Sequence, residues 1–249
     1  MNGNSKYDND LLYEKTLASF GIRSDCSFET LRQCAMHFQR TGDTSANVGR
    51  GWHDQIIQRL VKCGDSLIDL GCGNGELMAR LSYACKCWIQ GIESNEELVN
   101  KCVERGLPVC HADIEDILDI LPDKNYTWAV LEDTLQTLQN PLEVLKKMLR
   151  VADKSIVSFP NFAHWSVRFT FSLGGRMPVT KSLPNKWYNT PNIHLCSISD
   201  FQDWIRQDNV RILEAWVLIN GEVREFDPSE GHNISAEQAL FVLQSNKNL

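Results

Sequence analysis

Four clusters in the middle of the chain combine residue types and spacings that could do chemistry. Asp69-Leu-Gly71-Cys72-Gly73-Asn-Gly75 sets three glycines at alternate positions behind a carboxylate, so that backbone N–H groups can come close to a ligand. Glu93 lies twenty positions beyond Gly73 and is followed by Ser94. An acid at that interval, ending a second strand, can accept both hydroxyls of a ribose. Asp113-Ile114 offers a carboxylate to an adenine amino group beside an apolar side chain, and Glu132-Asp133 adds two further acids. Dinucleotide and triphosphate sites are disfavoured. The third residue after Gly73 is Glu76 rather than glycine, and no G-x-x-x-x-G-K-[ST] run occurs.

These residues need elements to hold them. Apolar residues at helical spacing over 52–61 predict an amphipathic helix ended by Gly64. The chain then alternates: strand 67–70, helix 75–84, strand 87–92, helix 95–105, strand 108–111, a turn region 113–124, strand 127–131, helix 141–150 and strand 154–159. Strands separated by helices of about ten residues pair in parallel through crossovers. The expected fold is therefore α/β, a Rossmann-like doubly wound seven-stranded sheet with helices on both faces. It is mostly parallel with an antiparallel last strand. The four clusters then fall at the carboxyl ends of successive strands, where open α/β sheets bind ligands. A helix opened by Ser199 and running to 207, strand 210–219 and strand 238–244 close the chain, the last two as an antiparallel hairpin at one sheet edge. Residues 1–48 read as an N-terminal helical extension, with Ser27 capping its second helix, and 49–249 as the main domain.

Composition narrows the function classes. The chain has 249 residues, 43% hydrophobic and 23% charged, with a formal net charge of −7. That is ordinary for a globular protein and argues against a nucleic-acid surface spread over the whole molecule. Nine cysteines include no C-x-x-C pair, which suits reduced core thiols and no metal site. No run approaches the roughly 18 apolar residues of a membrane span, and no charged-then-apolar leader opens the sequence, so a cytoplasmic protein is expected.

The pattern D-x-G-x-G-x-G with Glu93 and Asp113 in register resembles the class I S-adenosylmethionine-dependent methyltransferases. That resemblance implies a glycine loop under the amino-acid end of S-adenosyl-L-methionine, with S-adenosyl-L-homocysteine as product. It also implies Glu93 on the ribose, Asp113 and Ile114 at the adenine, and Asp69, Cys72, Ser94 and Glu132 around the cofactor. Further on, Ser158-Phe-Pro-Asn161-Phe-Ala-His164-Trp165, Gly175-Arg-Met-Pro-Val-Thr180, Leu183-Pro and Trp187-Tyr188-Asn-Thr-Pro-Asn-Ile-His194-Leu-Cys196 are similar to the MetW family of methionine biosynthesis. With Arg105-Gly-Leu107, Leu135-Gln136 and Met148-Leu-Arg-Val151, the likeness covers 52 to about 218. It implies a methyltransferase-like fold working beside homoserine acyltransferase, either as an enzyme or as a non-catalytic S-adenosylmethionine-binding regulator. The extension 1–48 and the pair Glu132-Asp133 depart from the family pattern.

Residues 160–195 read as an insertion serving as a lid. From Lys154 to Ser199 there is no Asp or Glu, where the chain's average would put about six. Arg168, Arg176, Lys181 and Lys186 lie there among Phe162, Trp165, Phe169, Phe171, Trp187 and Tyr188. Such a basic, aromatic cover suits an anionic small molecule or an acidic partner surface. The expected activity is methyl transfer to a small polar or anionic acceptor. Asn161, Trp165, Arg168 and Tyr188 are its candidate substrate contacts, and His164 or His194 its candidate base.

Overall fold

The computed structural model describes residues 51–246, together with parts of two helical stretches within 11–18 and 27–33. In the second of these Ser27 Oγ accepts the Thr30 N–H at 3.1 Å, as an N-cap does. The rest of the expected N-terminal extension lies outside the described residues.

Helix α1 (Trp52–Leu60) leads into β1 (Ser66–Leu70), α2 (Glu76–Cys85), β2 (Trp88–Glu93), α3 (Glu96–Glu104) and β3 (Val109–His111). Then come α4 (Ile114–Ile120), β4 (Tyr126–Leu131), a 3-10 turn (Leu135–Thr137), α5 (Pro141–Val151) and β5 (Ala152–Pro160). After α6 (Trp165–Gly174), a segment without helix or strand leads to α7 (Ile198–Gln207), β6 (Val210–Ile219), β7 (Glu222–Glu225), α8 (His232–Ser235) and β8 (Gln238–Ser245). The sheet order is β3-β2-β1-β4-β5-β8-β6-β7, with β1 to β5 parallel and β8 antiparallel to both its neighbours.

The sequence-based expectation needs four corrections. The sheet has eight strands, because the acidic connection after β6 folds back as β7, a short edge strand with every residue exposed. The pair β6 and β8 is antiparallel as expected, but it is not an edge hairpin. Strand β8 slots between β5 and β6, where both its faces are covered, which explains its unbroken apolar run. The stretch 113–124 contains α4, capped by Asp113. Finally α7 starts two residues earlier than its expected opening at Ser199. Ser197 and Asp200 form a reciprocal capping box, with Ser197 Oγ accepting from Asp200 N at 3.1 Å and Asp200 Oδ2 from Ser197 N at 3.2 Å.

Side chains alternate across each strand. Ile68 and Leu70 therefore enter the core layer under α4, α5 and α7, while Leu67 packs with α1 and α2 on the opposite face. Asp69 shares the face of Leu67. Phe241 of β8 anchors the first layer, with ring centroids 5.1 Å from Phe201, 5.3 Å from Phe226 and 6.1 Å from Phe159.

Asn161, at the end of β5, is fully buried. Its Nδ2 donates to the carbonyls of Asn233 and Ala236, both at 2.8 Å, and its Oδ1 accepts from Ala163 N at 3.1 Å and Ile198 N at 3.4 Å. Every hydrogen-bonding atom of the amide is thus spent on backbone. Asn161 pins the first residues after β5 to α7 and to the α8 turn. It is a strut, which corrects the expectation of a substrate contact.

Two stability outcomes follow. Phe241→Ala removes the central ring of the cluster and lowers unfolding free energy by about 3–5 kcal/mol. Asn161→Ala orphans two carbonyls and two N–H groups at a buried junction and costs about 2–4 kcal/mol. Urea midpoints measure both, and a loss under 1 kcal/mol for Asn161→Ala would show that the junction holds without the amide.

Candidate functional site

The glycine turn is built by the pairing of β1 with β2. The N–H groups of Gly71 and Cys72 both donate to the Ile92 carbonyl, at 2.8 and 3.0 Å, and Gly73 N donates to Glu93 Oε2 at 2.9 Å. The other carboxylate oxygen, Oε1, accepts from Asn95 N at 2.8 Å, and Asn95 Oδ1 in turn caps α3 through Leu98 N. All three glycines have positive φ. A Cβ on Gly71 would lie 2.8 Å from Thr134 Oγ1, and one on Gly75 would lie 2.5 Å from Leu107 Cδ1. A Cβ on Gly73 would meet nothing within 4 Å. Packing therefore requires the outer two glycines, and the middle one borders open space.

A cavity of about 870 Å³ lies beside this turn. That volume is within the range of about 300–1,000 Å³ typical of small-molecule sites. Asp69, Gly71 and Cys72 line it from β1 and the turn, His53 and Asp54 from the first turn of α1, Arg80 from α2, and Glu132 and Asp133 from the end of β4. Val179 to Ser182 and Pro184 line it from the acid-free insertion. Trp52 Nε1 donates to Gln238 Oε1 at 2.7 Å and fixes the start of α1 against β8. On the far side, the N–H groups of Ile193 and His194 donate to the Gln136 carbonyl at 2.9 and 3.0 Å, so the insertion is tied to the turn after β4.

The electrostatics of the cavity are acidic. Burial pushes the Asp69 carboxyl well above the usual carboxylate range, helped by the charges of Glu132, Asp54 and Glu93. Asp54 is also raised, by burial first and then by Glu132, against the opposing charge of Arg80. Arg80 pairs with Asp54 and, at 3.7 Å, with Glu76. His53 Nδ1 stands 3.0 Å from Glu132 Oε1. Burial by itself would lower the His53 pKa, but the hydrogen bond to Glu132 and the charges of Asp133, Glu132 and Asp54 outweigh it and raise the value.

The expected site residues divide. Asp69, Gly71, Cys72 and Glu132 line the cavity, whereas Gly73 and Glu93, hydrogen-bonded to each other, stand in the turn beside it and are not in its lining. Gly75 packs beneath the turn. Ser94 is exposed, its carbonyl 2.9 Å from His111 Nε2. Asp113 is exposed at the end of β3 and caps α4 by accepting from Glu115 N at 2.7 Å; Ile114 is buried in the core below. Neither lines the cavity.

The insertion residues are the main corrections. His164 is a buried N-cap of α6, its Nδ1 2.7 Å from Ser166 Oγ, and burial together with Arg168 lowers its pKa to about 3. A group so reluctant to take a proton is no general base near neutrality. His194 is exposed, with Nε2 3.3 Å from the Gln139 carbonyl and no share in the cavity wall. Trp165 is buried against His164 and Phe169. Arg168 donates to the Ala163 carbonyl and lines a separate, largely apolar cavity of about 700 Å³ with Phe162, Phe171 and Trp187. Tyr188 is exposed, with Lys186 Nζ 5.9 Å from its ring. Of the insertion's cations only Lys181 lines the acid-rich cavity, so the basic cover expected for an anionic acceptor is not assembled there. His53, Asp54 and Arg80 went unnoticed in the sequence. The one local signal was two polar residues, His53-Asp54, opening an otherwise apolar-faced helix.

Comparison with known proteins bears on the fold and the family. The family model described as methionine biosynthesis protein MetW matches residues 52–243. A bifunctional methionine biosynthesis protein MetXA/MetW of Rhodopirellula baltica is 31% identical over 93% of the chain, which spans only 37% of that protein's length. An (S)-tetrahydroprotoberberine N-methyltransferase of Eschscholzia californica is 21% identical over 78% of the chain and 55% of its own length. Among solved structures, an S-adenosylmethionine-dependent methyltransferase of Mesorhizobium loti superposes with a TM-score of 0.57 at 12% identity, covering 80% of this chain and 99% of that one. The fold is that of the S-adenosylmethionine-dependent methyltransferases, and the chain belongs to the MetW family.

Proposed function

We propose that this protein binds S-adenosylmethionine across the glycine turn and transfers its methyl group to a small polar acceptor. The observation that carries this reading is the carboxylate-lined cavity beside a glycine turn whose middle residue borders open space. A sulfonium with an ammonium group is cationic and carries no phosphate, so it fits where a nucleotide triphosphate would be repelled. Glu93 keeps lone pairs free on both oxygens for ribose hydroxyls while its present bonds to Gly73 N and Asn95 N hold it in place. Asp113 can reach an adenine amino group from its capping position through the oxygen not spent on Glu115 N.

The bound cofactor supplies an electrophilic methyl. The chain's own share is to align the acceptor in line with it and to exclude water. The Asp69 and Glu132 carboxyls line one side of the site, and Val179 to Ser182 with Pro184 wall the other.

A second reading within the same family is favoured by a separate observation. In the Rhodopirellula relative, MetW is fused to MetXA in one chain. The insertion here also exposes Phe171, Leu173, Met177, Trp187, Ile193 and Leu195, each about half exposed or more. On this reading the fold binds S-adenosylmethionine and regulates homoserine acyltransferase through that apolar face.

Isothermal titration with S-adenosylmethionine tests the common ground. We expect one site per chain, and Glu93→Ala to weaken it roughly ten- to a hundredfold by removing charged acceptors for two hydroxyls. Because burial raises Asp69 and Asp54, a cation entering the cavity draws them to the ionised form. Affinity therefore falls as pH drops through the raised titrations of these groups, and binding there releases protons, which a change of buffer ionisation enthalpy reveals. Absence of binding by the wild-type protein overturns both readings. Binding without methyl turnover, together with a changed acyltransferase rate when this protein is added, selects the second.

A further inference from the structure

The cavity is lined by more carboxyl groups than one sulfonium needs. Arg80 is occupied by Asp54 and Glu76. Asp69 on β1 and Glu132 and Asp133 after β4 remain, against Lys181 from the insertion. Such a lining repels an anionic acceptor and concentrates an ammonium.

Within it stands His53, only 3% exposed. Glu132 engages Nδ1 at 3.0 Å, while Nε2 is buried and has no hydrogen-bond partner among the described residues. A carboxylate on Nδ1 selects the tautomer with its proton there and leaves a lone pair on Nε2. A buried acceptor without a donor is the kind of group that a ligand N–H satisfies. Of the insertion's histidines, His164 also has a buried Nε2 with no partner among the described residues, but neither it nor the surface residue His194 lines this cavity.

We propose that the methyl acceptor is an amine and that His53 Nε2 takes its proton, with Glu132 as the positioning residue that orients the imidazole. This rests on the methyltransferase reading above. An ammonium has no lone pair, so the nitrogen gives up a proton first. It then attacks the methyl carbon, the N–C bond forms, and the C–S bond breaks with its electron pair on sulfur, leaving a neutral thioether and a methylated ammonium. The proton shed by nitrogen passes to Nε2, where the imidazolium is held against Glu132 before it is lost to water.

Sinefungin tests this without knowledge of the acceptor, since it carries an amine-bearing carbon where the cofactor has its methylated sulfur. S-adenosylhomocysteine, which lacks both methyl and amine, is the reference. Calorimetry on the wild-type protein at pH 8 should give sinefungin at least tenfold tighter binding than S-adenosylhomocysteine. The preference should fade as pH falls and His53 takes its own proton, because an imidazolium repels the ammonium. His53→Phe should reduce the preference, taken as the ratio of the two affinities in the same variant, to within about twofold. His53→Gln, which keeps an acceptor, should restore part of it, and Glu132→Gln should weaken it. Melting curves show which variants are folded. A wild-type preference near one, or a preference that survives His53→Phe unchanged, overturns the proposal. If the wild-type protein binds S-adenosylmethionine but shows no sinefungin preference, the cofactor reading stands and this inference alone falls. If it binds none of the three, both fall.

Discussion

The Ile92 carbonyl accepts the N–H groups of both Gly71 and Cys72, and much of the site depends on that shared acceptor. It carries the β1–β2 ladder past the end of β1 and so sets where the glycine turn stands. Glu93, the next residue, then lies within hydrogen-bonding distance of Gly73 N. The turn and the acid beyond it are thus one hydrogen-bonded unit spanning two strands, although twenty residues separate them. Thr134 from the β4 side and Leu107 from below pack close against the outer glycines, whose positive φ already disfavours a side chain, so the turn is bounded by two further elements.

The second constraint is charge. Burying several carboxylates around one cavity is unfavourable for the ionised forms, and the raised titrations of Asp69 and Asp54 are its signature. Part of that cost is offset inside the protein, by Arg80 against Asp54 and by His53 against Glu132. The remainder stays available for a cationic ligand. Glu115, outside the cavity, is treated differently. It accepts from Gln139 N, Asn140 N and the Asn140 side chain, and its carboxyl is held below the usual range.

Much of the architecture was legible because it is written in local periodicity. The alternation of apolar runs with helical patterns through 67–159 marks parallel pairing, and all five strands and three of their four crossover helices fall close to their expected spans. The last third was harder. Apolar runs such as 238–244 read alike on an edge strand and in the centre of a sheet, and only the packing of β5 and β6 on either side shows which applies. The helix at 114–120 was missed because its turn-like start, Asp113, is its N-cap.

By itself, then, the sequence determined the fold class, the glycine turn and the acids at the strand ends, because strand alternation and positive-φ turns are properties of neighbouring residues. It also carried enough family-specific segments to indicate MetW. What only the tertiary structure decided is which polar groups meet. His53 and Glu132 are seventy-nine positions apart and come within 3.0 Å only because α1 packs across the ends of β1 and β4. Asn161, His164 and His194 had the right chemistry for a site, but burial and backbone hydrogen bonds, set by residues distant in the chain, spend the first two on structure and leave His194 at the surface.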